Sequence, residues 1–297
     1  MFLFVFSFIL TIEFRELFMQ KVLLISGRKQ SGKTSAMNYL AGYLLTQAGL
    51  VINGHPISQF QLDEAGRLEV DYHFTNPNTG EVEGEWARFD ICNQDVNFLE
   101  QAQQSVFPII RSHSFADLLK EVCAVVFGLN KEELYGTDEQ KNQLCGVKWE
   151  SMYKILPHLK PKKKTKKELA EGQEDEVRNE YMTNREFMQY FGSDICRELF
   201  SDCWSQAFYN RVIGEGFPLT VNTDCRFRSE FEYGKEIDNI EVKCIRLTRN
   251  PFNSDHSSEV DFDGYEHFDA IIDNENMTQE QKGLALVTIL RNWGWIV

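Results

Sequence analysis

Short apolar runs, each closed by a glycine or a polar turn and followed by helical spacing, recur along this chain. The first is 21–26 (KVLLIS), a run suited to a strand buried on both faces. Helical spacing follows at 34–47 (TSAMNYLAGYLLTQ) and closes near Gly49. Further strands are expected at 106–111 (VFPIIR), 217–222 (FPLTVN), 242–248 (VKCIRLT) and 268–272 (FDAII). Pro108 weakens the 106–111 run, because a proline nitrogen cannot donate to a ladder. Helices are expected at 115–127, capped by Ser114 and ended by Gly128, and at 183–191, capped by Thr183. After an interruption at Gly192, helical spacing resumes over 194–210, then at 227–233 and 278–293. Such alternation predicts an α/β fold: a mostly parallel five-stranded sheet with helices on both faces.

Two stretches break the alternation. In 51–101, the segments 68–74 (LEVDYHF) and 81–91 (EVEGEWARFDI) flank the turn NPNTG, which reads as a β-hairpin insertion leaving the core. Residues 129–159 are mixed and turn-rich, and 160–167 (KPKKKTKK) runs straight into the acidic EGQEDE. We read 150–180 as a charged, solvated loop, with a lid as the sharper alternative. At the start, 1–10 (MFLFVFSFIL) is apolar, lacks the basic beginning of a signal peptide and is too short to span a bilayer. Met19 lies two residues before the first strand, so 1–18 is expected to be an N-terminal extension from a mis-called start, with a membrane anchor the less favoured alternative.

The chain's 297 residues suit one large or two small domains, and 42% hydrophobic residues suit a packed core. A net charge of −14 repels polyanions, so nucleic acid polymers are not expected partners. The seven cysteines form no C-x-x-C pair and are odd in number, which argues for reduced thiols in a cytoplasmic protein. No membrane partner is expected, and a homodimer is left open.

Candidate chemistry begins at 27–34, GRKQSGKT, which matches G-x-x-x-x-G-K-[ST] between the first strand and the first helix. In that setting Gly27, Arg28, Lys29, Gln30, Ser31, Gly32, Lys33, Thr34 and Ser35 form a P-loop for ATP: backbone N–H groups face phosphates, Lys33 reaches the β- and γ-phosphates, and the Thr34 hydroxyl holds Mg²⁺. The plainer reading is a chance glycine-rich turn. Three more clusters stand out. Asp117 and Lys120 share a face at a helix start, where an exposed i,i+3 ion pair is the commoner meaning. Arg185, Gln189 and Arg197 recur at about helical spacing, followed by Trp204. Arginines suit a phosphate, Gln189 a base edge and Trp204 a stacked base, whereas an amphipathic helix with a wet polar face explains the same spacing. Finally, Asp224, Arg226 and Glu230 follow a predicted core strand. There a carboxylate can hold Mg²⁺ through water and an arginine can stabilise a phosphoryl group in flight, or the set fixes the next helix. No paired Asp-Glu for water activation and no N-K-x-D motif accompanies the loop, which leaves phosphoryl transfer to a small acceptor as the best reading.

Taken in order, LLISGRKQSGKTS, SFADLLKEVC, REFMQYFGSDICR, TDCRFRSE and FDAIIDN resemble bacteriophage deoxynucleoside monophosphate kinases over about 21–297, with 51–101 and 150–180 poorly matched. The resemblance implies a P-loop kinase fold over 19–297 and transfer of the ATP γ-phosphate to a dNMP, with Mg²⁺. It places Lys33, Arg185, Asp224 and Arg226 in catalysis. It puts Asp117, Lys120, Arg185, Gln189, Trp204, Asp224, Arg226 and Glu230 around the acceptor, where Arg197 is added from its spacing. Thr34 stands where many members carry aspartate. The alternatives are a P-loop kinase for another small metabolite, such as dephospho-coenzyme A, and a non-kinase ATP-binding regulatory or packaging protein.

Overall fold

The computed structural model describes residues 19–52, 54–161, 179–251 and 261–297. The extension at 1–18 and the basic-to-acidic run from 162 to 178 lie outside the described residues, so the lid assigned there is not placed. Two compact units form, one from 19–115 with Ser205–Val297 and the other from Ala116–Trp204.

The first unit is built on five parallel strands. β1 (Gln20–Gly27) is central, with β10 (Leu219–Cys225) and then β7 (Arg111–Ser112) on one side, and β11 (Ile240–Leu247) and then β12 (Ala270–Ile272) on the other. Alternate side chains of β1 enter opposite cores. Leu23 and Ile25 pack with α1 (Lys33–Gln47), through Met37 and Leu40, and with α10 (Gln279–Asn292), through Leu286 and Leu290. Val22 and Leu24 pack with Phe208 and Tyr209 of α8 (Cys203–Glu215) and Phe231 of α9 (Arg228–Lys235). A parallel sheet covered on both faces needs a continuous apolar strand, which is what KVLLIS supplies. This architecture is compatible with a P-loop kinase fold.

Several expectations are corrected here. The expected strand at 106–111 pairs with β10 only through Arg111 and Ser112. Before it, Asp95 caps a helix, α2 (Val96–Ser105), that periodicity did not reveal, and a turn closes as Ile109 N–H donates to the Val106 carbonyl. The hairpin exists, with β5 (Leu68–Thr75) antiparallel to β6 (Val82–Arg88), but it does not leave the core. A further strand, β4 (Phe60–Leu62), joins β5, and Leu68 and Val70 are buried against α1. Gly42 on α1 makes this possible: a Cβ there would lie 2.7 Å from Leu68 and closer still to the Phe60 ring. Two short strands, β2 (Val51–Ile52) and β3 (His55–Pro56), pair ahead of β4.

The second unit begins with α3 (Asp117–Phe127), ended by Gly128 in the left-handed conformation. Its N-cap is Ala116, because the Ser114 hydroxyl is engaged elsewhere. The turn-rich stretch after it folds into α4 (Lys131–Tyr135), α5 (Asp138–Lys141), β8 (Leu144–Lys148) and α6 (Trp149–Ile155). β9 (Tyr181–Thr183) pairs antiparallel with β8 and leads into α7 (Asn184–Gln189). Thr183 caps α7 in a capping box with Glu186, as the sequence suggests. The chain is not interrupted at Gly192. It continues as a widened π turn over Tyr190–Arg197, where a Cβ on Gly192 would lie 2.7 Å from Leu119 of α3. Residues 198 and 199 close it as α-helix, and regular helix begins again at Cys203 and runs to Glu215, so the expected helix over 194–210 is broken at 200–202. Cys123, Leu134, Trp149, Met152, Met182 and Phe187 form this unit's core.

Candidate functional site

The carboxyl edge of the parallel sheet gathers the chemistry of the first unit. The turn from β1 into α1 needs Gly32 in the left-handed region, at φ 94°. Lys33 folds back over this turn, its Nζ donating to the carbonyls of Gly27 (2.7 Å) and Arg28 (2.8 Å). Ser31 is fully buried, and its Oγ has no hydrogen-bond partner among the described residues. Thr34 is exposed in the first turn of α1, with Lys29 and Gln30 exposed on the loop. The first amides of any helix lack partners within it and carry partial positive charge, so this end favours an anion.

Strand register decides what lies next to the turn. Ser26 is opposite Cys225 on one side and Arg246 on the other. Adjacent strands lie about 4.8 Å apart, so Asp224 and Arg226 flank the point where the glycine turn begins. Asp224 lies within β10, next to its last residue, Cys225, close to the end expected at 223–224. Its carboxylate accepts hydrogen bonds from the Ser114 hydroxyl, from Phe115 N–H (3.0 Å) and from Asn222 Nδ2 (2.5 Å). Arg226 is exposed. Glu230 is 2% exposed and accepts from the N–H groups of Arg226 (2.8 Å) and Phe227 (3.1 Å), so it caps α9 and fixes the loop that carries Arg226.

Three partners of this turn have no signal in the sequence. Arg246 donates to Ser26 Oγ (3.0 Å). Asn274 donates to the Ser31 carbonyl (2.8 Å) and its own carbonyl oxygen accepts from Arg249 N–H (3.0 Å). Lys282, 5% exposed on α10, donates to Ser35 Oγ (2.7 Å). Burial, and repulsion from Arg249, push the Lys282 ammonium down to about 8.

The second unit gathers its own cations. Arg185 donates to Asp138 (2.7 Å) and Asn142 (3.1 Å). Lys120 lies 3.6 Å from the Asp117 carboxylate and 4.2 Å from the centre of the Tyr135 ring. Lys141, which no motif singled out, is held below its ordinary value first by burial and then by repulsion from Lys120, with Arg185 also pushing it down. Lys120, Lys141 and Arg185 thus share one electrostatic neighbourhood. Gln189 is exposed and Arg197 half-buried at the end of the π turn. Trp204 is 8% exposed and its Nε1 donates to the Gly192 carbonyl (3.0 Å), so it anchors the chain next to the π turn.

The groups present fit a phosphate ligand with Mg²⁺. A buried orphan hydroxyl, a left-handed glycine and a lysine lying on carbonyls line the turn. Among the described residues no three His, Cys, Asp or Glu side chains cluster as a metal cage. A Mg²⁺ ion held by one hydroxyl, phosphate oxygens and water needs none.

No family model matches the chain. Over 182 residues, 56% of this chain and 76% of the other, it is 26% identical to a protein of Acanthamoeba polyphaga mimivirus described as a "Putative deoxynucleotide monophosphate kinase". That similarity reaches a nucleotide kinase at the level of class. Among the described residues no helix is long and apolar enough to cross a membrane.

Proposed function

We propose that this protein is an ATP-dependent nucleotide kinase that transfers the γ-phosphoryl group to a deoxynucleoside monophosphate. The observation that carries this is the G-x-x-x-x-G-K-T turn at the carboxyl end of the central parallel strand, with Asp224 and Arg226 brought next to it by register. The name of the mimivirus relative supports the same class.

In this reading the turn is a P-loop. Its amides and the Lys33 ammonium take the triphosphate, and Lys33 exchanges the Gly27 and Arg28 carbonyls for phosphate oxygens. Mg²⁺, bound through Thr34, would neutralise the β- and γ-oxygens. Asp224, held rigidly by Ser114, Phe115 and Asn222, would hold the ion through water, and Arg226 stabilises charge on the group in flight. Asp117, Lys120, Arg185, Gln189 and Arg197 are assigned to the acceptor nucleotide, and Lys141 joins them. A monophosphate is already a nucleophile, so the protein's work is positioning and charge neutralisation, not base catalysis. Trp204 and Glu230 are assigned structural roles, because one is sealed against Gly192 and the other caps α9.

A coupled ADP-release assay with dAMP, dGMP, dCMP and dTMP tests the reading. We expect ADP formation that depends on at least one of them and on Mg²⁺. ATP binding with no turnover of any of the four would favour the regulatory or packaging alternative.

A further inference from the structure

Lys282 is a buried cation with an unusual lack of company. Its ammonium is sealed behind the glycine turn, close enough that a Cβ on Gly32 would collide with it. Its hydrogen-bond partner is the hydroxyl of Ser35, in the first turn of α1. Among the described residues no carboxylate pairs with it, and the charge that acts on it is another cation, Arg249, from the loop after β11. Buried charges in folded proteins are normally paired, because desolvation of a lone ion is costly. An unpaired ammonium behind an anion-binding turn therefore points to a counter-ion that arrives from outside.

We propose that Lys282 is a positioning residue for the donor triphosphate, holding Ser35 and the helix start in place while adding fixed positive charge beneath the turn, with the ligand's phosphates as its missing counter-ion. The inference rests on the P-loop reading of 27–35. The glycine at 32 is needed for its left-handed backbone, and it also leaves the ammonium its present position.

Other ionisable groups surround the site. α10 packs on α1, which brings Lys33, Tyr39 and Tyr43. Lys33 is occupied with carbonyl oxygens, and Tyr39 is raised by burial and by Glu280 of α10. Asp63 and Glu64 meet α10 through their backbone carbonyls, which accept from Gln279. Lys282 itself titrates near 8, so it is half-charged there when no ligand is present. Phosphate binding favours the charged form. Affinity is then full below pH 8 and is lost as pH rises through it.

The test is calorimetry of ATP binding, without acceptor, for wild type, Lys282→Met and Lys282→Gln, in two buffers of different ionisation heat. Wild type should take up about half a proton per ATP at pH 8 and bind about tenfold more weakly at pH 9 than at pH 7. Both variants should bind more weakly than wild type at pH 7 and lose the added proton uptake. Lys282→Gln keeps a donor for Ser35 but no charge, so restoration of wild-type affinity by glutamine would overturn the proposal in favour of a purely structural lysine. Proton uptake unchanged in both variants would overturn it as well. Failure of the wild type to bind ATP at any pH would instead defeat the P-loop reading.

Discussion

Replacing Lys282 should make the unliganded protein more stable while weakening its grip on phosphate, an opposition that few structural lysines would show. An ordinary lysine titrates at 10.5, and Lys282 titrates at about 8. Each unit corresponds to about 1.4 kcal/mol, so keeping this ammonium charged at pH 7 costs the fold on the order of 3 kcal/mol. Methionine has similar length and no charge. It removes that cost but leaves Ser35 Oγ without its donor, which gives back about 1 kcal/mol. A net gain of about 2 kcal/mol should raise the melting temperature by roughly 5 °C. Because the folded-state value is lowered, wild-type stability climbs as pH rises from about 8 toward 10.5, where the unfolded lysine also loses its proton. Lys282→Met lacks that climb, so the difference between the proteins should close across the same range. Thermal or urea unfolding at pH 7 and above pH 10 measures both. A Lys282→Met protein that is destabilised equally at every pH would refute the reasoning and make the lysine an ordinary stabilising contact.

Other outcomes follow from the same geometry. Lys33→Ala should lower turnover by at least about a hundredfold, as loss of one electrostatic stabiliser does, with unfolding unchanged. Arg226→Ala should slow turnover with much less effect on ATP binding measured by titration. Gly42→Ala should destabilise the protein by about 1–3 kcal/mol in urea unfolding, since its Cβ would press on Phe60 and Leu68. Burial raises the Glu215 carboxyl, but the hydrogen bond from His113 and the charges of His113 and Arg111 outweigh it and hold it below its ordinary 4.5. Its stabilising contribution should therefore be present above pH 4.5 and fade as pH falls through the depressed folded value, so Glu215→Gln should cost stability at neutral pH and little in strong acid.

The central strand was legible because it is buried on both faces and reads as an unbroken apolar run, and the helix starts at Thr183 and Thr278 because each carries a capping pattern. The run 106–111 misled for the converse reason: its apolar residues fill the core from a turn and only a two-residue strand, next to a helix announced by nothing louder than Asp95. The π turn left no local signal, since Gly192 is there for the approach of Leu119 and does not end a helix. Of the candidate site, the positions of 27–35 at a strand-to-helix turn and of Asp224 at a strand end could be read from local order. The capping contact of Glu230 was also legible, since a glutamate three residues into a helix is itself a capping signal. Arg246, Asn274 and Lys282 were invisible, because only register and helix packing bring them to a loop more than two hundred residues away in sequence. Lys141 was hidden similarly, since Lys120 and Arg185 act on its charge from other helices.

The central claim is that phosphate moves from ATP to a nucleotide. Incubation with γ-labelled ATP, Mg²⁺ and each deoxynucleoside monophosphate, followed by chromatographic separation, tests it most directly. The account predicts label in the deoxynucleoside diphosphate, abolished in Lys33→Ala. Label found only in inorganic phosphate, or retained wholly in ATP, would contradict it.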